Sequence, residues 1–425
     1  MKAAANAHVR VVDRPCGYGK TTQLLKLFRP ERRYLVVVPT LDEVRRVIDG
    51  ASVPFLQPEL DGQHRTKRES LETLLLRGCN IATTHALYMD VAMVARKGLL
   101  DEYDIIIIDE VLDVCAQVEG ASPRSFDQFY LRCGYATVDL DGQVHPTPKW
   151  EAEIDAVSDT LKERLFRLAQ AGMLYYVDGT FFMWALPREL LSSGRSFTVY
   201  TYMAEGSMFL AYLKKLGIPW HHDRDPEVDT TFRLRAQQLI EVRGIERLGR
   251  TNLSFTGQTN NPALAKQVSS ALRGLRRGPL RDVPLGDVLV TCKKDKWFDK
   301  GEDDPEKRKA GPYARGSKMF EGVHWIANTT RGTNNYAHTS HLIYLYDQNM
   351  NPFIRRWLGL GGDPEAQDRY ALSELIQWVY RSRVRRGESI VLFLPSNRMR
   401  RLFQGWLEGL PSSSPEFTEP LALAA

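Results

Sequence analysis

Residues 14 to 22 read Arg14-Pro15-Cys16-Gly17-Tyr18-Gly19-Lys20-Thr21-Thr22 and follow a short apolar stretch, Val9-Arg10-Val11-Val12. Glycines at Gly17 and Gly19 let a backbone turn tightly enough for successive N–H groups to surround a polyphosphate. Lys20 then reaches the β and γ phosphates and Thr21 offers a hydroxyl to Mg²⁺, with Thr22 beside it. The chemistry implied is that of ATP or GTP, with ATP and Mg²⁺ as the bound species. Of the pattern GxxxxGK[ST], only the first position departs, being Arg14.

Two further groups could complete such a site. In Tyr103-Asp104-Ile105-Ile106-Ile107-Ile108-Asp109-Glu110, four β-branched residues precede two carboxylates, as in a parallel strand buried on both faces. Acids at the carboxyl end of such a strand lie where open α/β sheets bind ligands. Asp109 would hold Mg²⁺ with Thr21, and Glu110 would orient and deprotonate the attacking water. Near the C-terminus, Gln377, Arg381 and Arg385 fall at i, i+4 and i+8 of a helical pattern that ends at Gly387. Guanidinium groups so placed can stabilise charge developing on a transferring γ-phosphate. Helical spacing favours Arg385 over Arg383 as the second arginine.

The elements that must position these groups alternate between apolar strand-like runs and helical patterns, so the fold class expected is α/β with mainly parallel sheets. A first domain spans about 8 to 205, with strands near 9, 35, 81, 105, 174 and 197, and an insertion at about 120 to 170. A second spans about 206 to 405, with strands near 237, 252, 288, 324, 342 and 390. Its stretch from about 293 to 318, rich in Lys, Asp and Gly, reads as a mobile loop. There Trp297, Phe298 and Tyr313 either stack on bases or simply tether the loop. Residues 406 to 425 form a tail.

Taken in order, these pieces resemble the superfamily-2 helicases and translocases, with a bacteriophage style of sequence. Residues 14 to 21 resemble motif I and Asp109-Glu110 motif II. Val36 to Thr40 is similar to motif Ia, and Ile81 to Leu87 to the threonine-bearing motif after it. Asp287 to Cys292 looks like motif IV, Thr329 to Asn335 resembles motif V, and Gln377 to Arg385 resembles motif VI, with Tyr380 where glycine is usual. The resemblance implies two tandem RecA-like P-loop domains that close on ATP. It implies nucleotide contacts from Gly332 and Asn334, and nucleic-acid contacts from Pro39, Thr40, Thr83 and Thr84; taken singly, each of these two stretches reads rather as an ordinary strand followed by a helix cap.

Composition sets the outer bounds. The 425 residues are 43% hydrophobic and 26% charged, as in a water-soluble globular protein, and carry no apolar run long enough to span a membrane. The N-terminus lacks the apolar core of a secretory signal, and five cysteines without a CxxC pair suit a reducing cytoplasm, that of the host cell if the chain is viral. Residues 1 to 205 hold 24 basic and 28 acidic side chains, or −4; the remaining 33 and 24 give +9, summing to the net +5. The basic second half suits a nucleic-acid partner, DNA ahead of RNA. The function expected is therefore a nucleic-acid-dependent ATPase. A packaging or remodelling motor that never separates strands, a nucleotide kinase and a non-catalytic nucleotide-binding protein are the alternatives. A kinase leaves the second α/β half without a role.

Overall fold

The computed structural model describes residues 9–60, 64–108, 113–153, 160–299, 308–330 and 333–410. The strands, in chain order, are β1 Val9–Asp13, β2 Arg33–Val38, β3 Ile81–Thr84, β4 Tyr103–Ile107, β5 Cys115–Gln117, β6 Ala136–Val138, β7 Val144–Pro146 and β8 Leu174–Val177. They continue as β9 Phe181–Ala185, β10 Ser196–Thr201, β11 Trp220–Arg224, β12 Ile240–Arg243, β13 Val288–Thr291, β14 His324–Trp325, β15 His341–Tyr344 and β16 Ile390–Phe393.

Two parallel sheets carry the fold. The first is six-stranded, in the order β11-β1-β10-β4-β2-β3, and the second is five-stranded, in the order β12-β16-β15-β13-β14. Near-continuous aliphatic runs form them because helices cover both faces of each sheet. Along β2, Leu35 and Val37 pack on one face with Ile105 and Ile107, while Tyr34, Val36 and Val38 pack on the other with Ala82 and Ile106. The second sheet divides in the same way, Leu289 and Leu342 on one side, Val290 and Ile343 on the other. The architecture is α/β with two tandem lobes.

Several expected boundaries shift. β11 lies beyond residue 205 yet pairs with β1 along Val9–Asp13, so the first sheet continues past the anticipated boundary. The connecting helix Pro226–Leu239 then leads into β12. The strand expected near 174 belongs to a separate antiparallel sheet, β5-β9-β8, which with the β6-β7 hairpin makes the insertion larger than 120 to 170. No strand forms near 252; Leu253 is a buried loop residue. Flanks of the supposed mobile loop are packed: Trp297 and Tyr313 are each 1% exposed in the second core, and Phe298 bridges to Ala310. The rings of Trp297 and Tyr313 therefore fill the interior and are not presented to bases, while Phe298 is half-buried against the same core. Residues 300–307 lie outside the described residues, as does the tail from 411.

The lobes are also joined away from the cleft. The helix Pro352–Trp357 of the second lobe places Ile354 and Leu358 in the core of the first, with Phe353 stacked on Phe181 at 4.7 Å and Trp357 against Tyr175 at 5.1 Å. At the opposite end of the first sheet, Asp104 of β4 is 3% exposed and accepts bonds from Arg195 at 2.6 Å, Ser196 at 2.7 Å and Arg32 at 3.0 Å. Burial alone would raise its carboxyl, but bonds from Arg195, Ser196 and Arg32 outweigh that and hold it below the usual carboxylate range. Its stabilisation is present above the unfolded pKa of about 3.9 and is lost as pH falls through the lower folded value. Asp104→Ala is expected to lower the unfolding free energy by about 3 kcal/mol at pH 7, because two guanidinium groups lose their buried partner. Urea titrations at pH 7 and pH 3 check both size and sign: the gap between wild type and variant should narrow in acid.

Candidate functional site

Residues 14 to 19 carry the chain from the carboxyl end of β1 to the helix Lys20–Leu25. Gly17 and Gly19 hold the left-handed conformation, at φ 77° and 79°, which side-chain-bearing residues adopt only with strain. Arg14 does not, so no glycine is required there. Its guanidinium leaves the loop for β11, bonding the Asp223 carboxylate at 2.7 Å and the Asp223 carbonyl at 2.7 Å. Bonds from Arg10 and Arg14 in turn hold the Asp223 carboxyl below its usual range. The departure at the first motif position thus ties the loop to the sheet edge. Lys20 is buried and donates to the carbonyls of Arg14 at 3.1 Å and Thr201 at 3.5 Å. Thr21 is buried beside it, and Thr22 accepts a bond from Arg46 at 3.2 Å.

The facing wall comes from the second lobe. The helix Ala366–Val379 stops before the arginines, correcting the single long helix expected through Arg385. Ser382 is extended and its hydroxyl donates to the Val379 carbonyl at 2.8 Å, after which Arg383–Arg386 form a short 3₁₀ turn. Arg383 points away to the Ser389 carbonyl at 2.7 Å. Arg385 instead turns toward the cleft, donating to Asn334, and its carbonyl lies 3.6 Å from where a Cβ on Gly17 would stand. Arg381 is 5% exposed, and Gln377 donates across the lobes to the Tyr202 carbonyl at 3.5 Å. Lys20, Gln377, Arg381 and Arg385 thus line one void of about 10 Å³, roughly the space of a single water. Asp109, Glu110 and Gly332 lie outside the described residues; the strand leading to the two acids is buried through Ile108.

Beside that void opens a cavity of about 380 Å³ between the glycine turn of residues 14 to 19, the connecting helix and Tyr380. Tyr380, the other departure from the motif, is buried, which pushes its phenol pKa up, and it packs on Phe232 at 4.6 Å. Where the motif has glycine, this chain has an aromatic floor. Neither Phe232 nor the connecting helix stood out in the sequence, because an aromatic at helical spacing carries no signal of its own.

Asp13 was also missed. It ends β1, is 6% exposed, and accepts bonds from the main-chain N–H groups of Met203 and Ala204, both at 2.9 Å, and from His222 at 3.0 Å. That holds the loop 201–206 between the lobes. Gly206 is required there, since a Cβ would stand 2.4 Å from the Arg369 carbonyl. An acid at the carboxyl end of a parallel strand is the signal that could have found it.

The four residues expected to meet nucleic acid sit at the carboxyl ends of β2 and β3. Thr40 and Thr84 cap helices, accepting from Glu43 N–H at 3.3 Å and Leu87 N–H at 3.4 Å, and Pro39 is half-buried. Thr83 is 2% exposed, so a strand lying on this surface could not touch its hydroxyl.

A family model described as the YonV C-terminal Rossmann-like domain matches residues 236–407. The chain is 24% identical over 426 residues to the SPbeta prophage-derived uncharacterized protein YonV of Bacillus subtilis (strain 168), covering 94% of this chain and 98% of that protein. The solved structure XPD_APO superposes with a TM-score of 0.51 at 15% identity, over 95% of this chain and 96% of that one. The last likeness concerns fold alone: two tandem RecA-like α/β domains with mainly parallel sheets.

Proposed function

We propose that the protein is a nucleic-acid-dependent ATPase of the superfamily-2 type, a helicase or translocase. The observation that carries this reading is the meeting of Arg381 and Arg385 from one lobe with Gly17 and Lys20 of the other around a shared void. ATP would bind across the cleft, its phosphates surrounded by the loop amides and Lys20. Gln377, Arg381 and Arg385 would complete the site from the second lobe, with Gly332 and Asn334 near the nucleotide.

Thr21 and Asp109 would hold Mg²⁺. Magnesium suits such a sparse oxygen set, because it takes one or two protein oxygens plus substrate phosphates in place of an all-protein cage. Among the described residues no group of three or more His, Cys, Asp or Glu could form that cage. When bound, the ion would neutralise charge on the β and γ phosphates. Glu110 would orient the attacking water.

A void of about 10 Å³ cannot admit a triphosphate, so nucleotide binding must part the two walls. The docked helix Pro352–Trp357 would keep the lobes joined while they move, making cleft opening a rotation about that edge. Such a cycle would move a strand of DNA, ahead of RNA, held along Pro39, Thr40 and Thr84. The prophage-derived relative favours a phage setting, with the work done in the host cytoplasm. Among the described residues no helix is long and apolar enough to cross a membrane.

The test is ATP hydrolysis by the full chain with and without single-stranded DNA, followed by strand displacement. Turnover is expected to rise at least about tenfold with DNA, an increment equal to about 1.4 kcal/mol of transition-state stabilisation. Absence of hydrolysis under both conditions sinks the ATPase reading.

A further inference from the structure

Resting on the proposed nucleotide site, we infer that the base and ribose of the nucleoside triphosphate occupy the cavity of about 380 Å³ beside the phosphate loop, and that this cavity accepts purine and pyrimidine bases alike. The cavity shares Cys16, Gly17, Tyr380 and Arg385 with the void between the lobes, so a nucleotide with its phosphates at Lys20 has its base directed into it. Its volume falls within the usual range for small-molecule sites, about 300–1,000 Å³.

The wall explains both affinity and lack of selection. Its deep surface is apolar: Phe232 and Val228 from the connecting helix, and Tyr380 and Val384 from the second lobe. The ring of Phe232 is half-buried, packed on Tyr380 at 4.6 Å and on Tyr202 at 5.2 Å, and so is held as a platform for a base. Every base has a π-face, so stacking binds all four without distinguishing them. Discrimination needs polar groups that are buried and fixed against the base edge. Here the side-chain charges at the cavity are Glu227 and Arg235, both exposed on flexible stems, and the half-buried Arg385, whose guanidinium is already bonded to Asn334. Among the described residues no asparagine or glutamine lines the wall. The connecting helix would therefore sense an occupied site without reading which nucleotide fills it.

Equilibrium binding of ATP, GTP, CTP, UTP and inorganic tripolyphosphate to the full chain with Mg²⁺ tests this. The four nucleotides are expected to bind within about threefold of one another, and tripolyphosphate about tenfold or more weakly, reflecting the lost stacking. Phe232→Ala should weaken all four nucleotides by about tenfold and leave tripolyphosphate unchanged. Because Phe232 also packs on its neighbours, Thr231→Trp serves as a second variant: Thr231 is exposed at the cavity, and a bulky ring there should block the base while sparing tripolyphosphate. Unaltered nucleotide binding in Phe232→Ala or Thr231→Trp, or a preference for ATP beyond about thirtyfold, overturns the inference. If neither tripolyphosphate nor any nucleotide binds the wild-type chain, the phosphate-loop reading fails first and this one falls with it.

Discussion

Arg381→Ala is expected to slow ATP hydrolysis by about a thousandfold, the lower end of what an arginine acting on a transferring phosphoryl group supplies. The reasoning is differential. A guanidinium that meets charge appearing only as the bond to the leaving phosphate breaks lowers the barrier without holding the ground state more tightly. Nucleotide affinity should therefore change by less than about fivefold. Arg381 suits this work because it is 5% exposed, in a low-dielectric wall where its charge is little screened. Arg381→Lys keeps the charge but loses the planar fork, and is expected to recover only part of the rate. Single-turnover kinetics with equilibrium ATP binding would separate the two effects. A normal hydrolysis rate in Arg381→Ala would remove the second lobe from the chemistry.

The second large effect concerns Lys20. Its ammonium now rests on two main-chain carbonyls, those of Arg14 at 3.1 Å and Thr201 at 3.5 Å. Exchanging neutral carbonyl acceptors for anionic phosphate oxygens would add direct Coulomb attraction to bonds that the ammonium already makes charge-assisted. Lys20→Ala should lower kcat/KM for ATP by about a thousandfold, with both binding and turnover affected, if the lysine meets the phosphates before and during reaction as proposed. The fold should survive: losing the charge-assisted bonds of one side chain to carbonyls costs about 2–3 kcal/mol, a fraction of the stability of a domain of this size. Thermal melts beside the kinetics would check this. Residual activity near wild type would place the phosphates elsewhere, whereas a collapsed melting transition would make Lys20 a structural residue.

Much of the fold was legible because it is written in neighbours along the chain. The aliphatic runs at 9, 35, 105 and 197 became strands of one sheet, as residues that must be buried on both faces do. The glycine turn was equally readable, since Gly17 and Gly19 occupy backbone conformations that few other residues accept. Errors arose wherever a local pattern met a distant constraint. Helical spacing ran on through Arg385, but the buried Ser382 turns its hydroxyl to the Val379 carbonyl and the chain bends there. Lysines and acids made 293 to 318 look mobile, while Trp297 and Tyr313 pin its ends in the core. Arg14 and Tyr380 looked like flaws in their motifs. One anchors the loop to Asp223 and the other floors a cavity, and neither role can be seen without the partner.

The sequence by itself determined the kinds of element, the conformation of the phosphate loop and the chemical types available to it, because strand periodicity and left-handed turns depend on adjacent residues. Only the tertiary structure decided which wall faces that loop, where the first sheet ends and what cavity lies beside it. Those outcomes rest on contacts such as Asp13 with Ala204, 191 positions apart, where burial and directional bonding choose among partners that the linear order leaves equivalent.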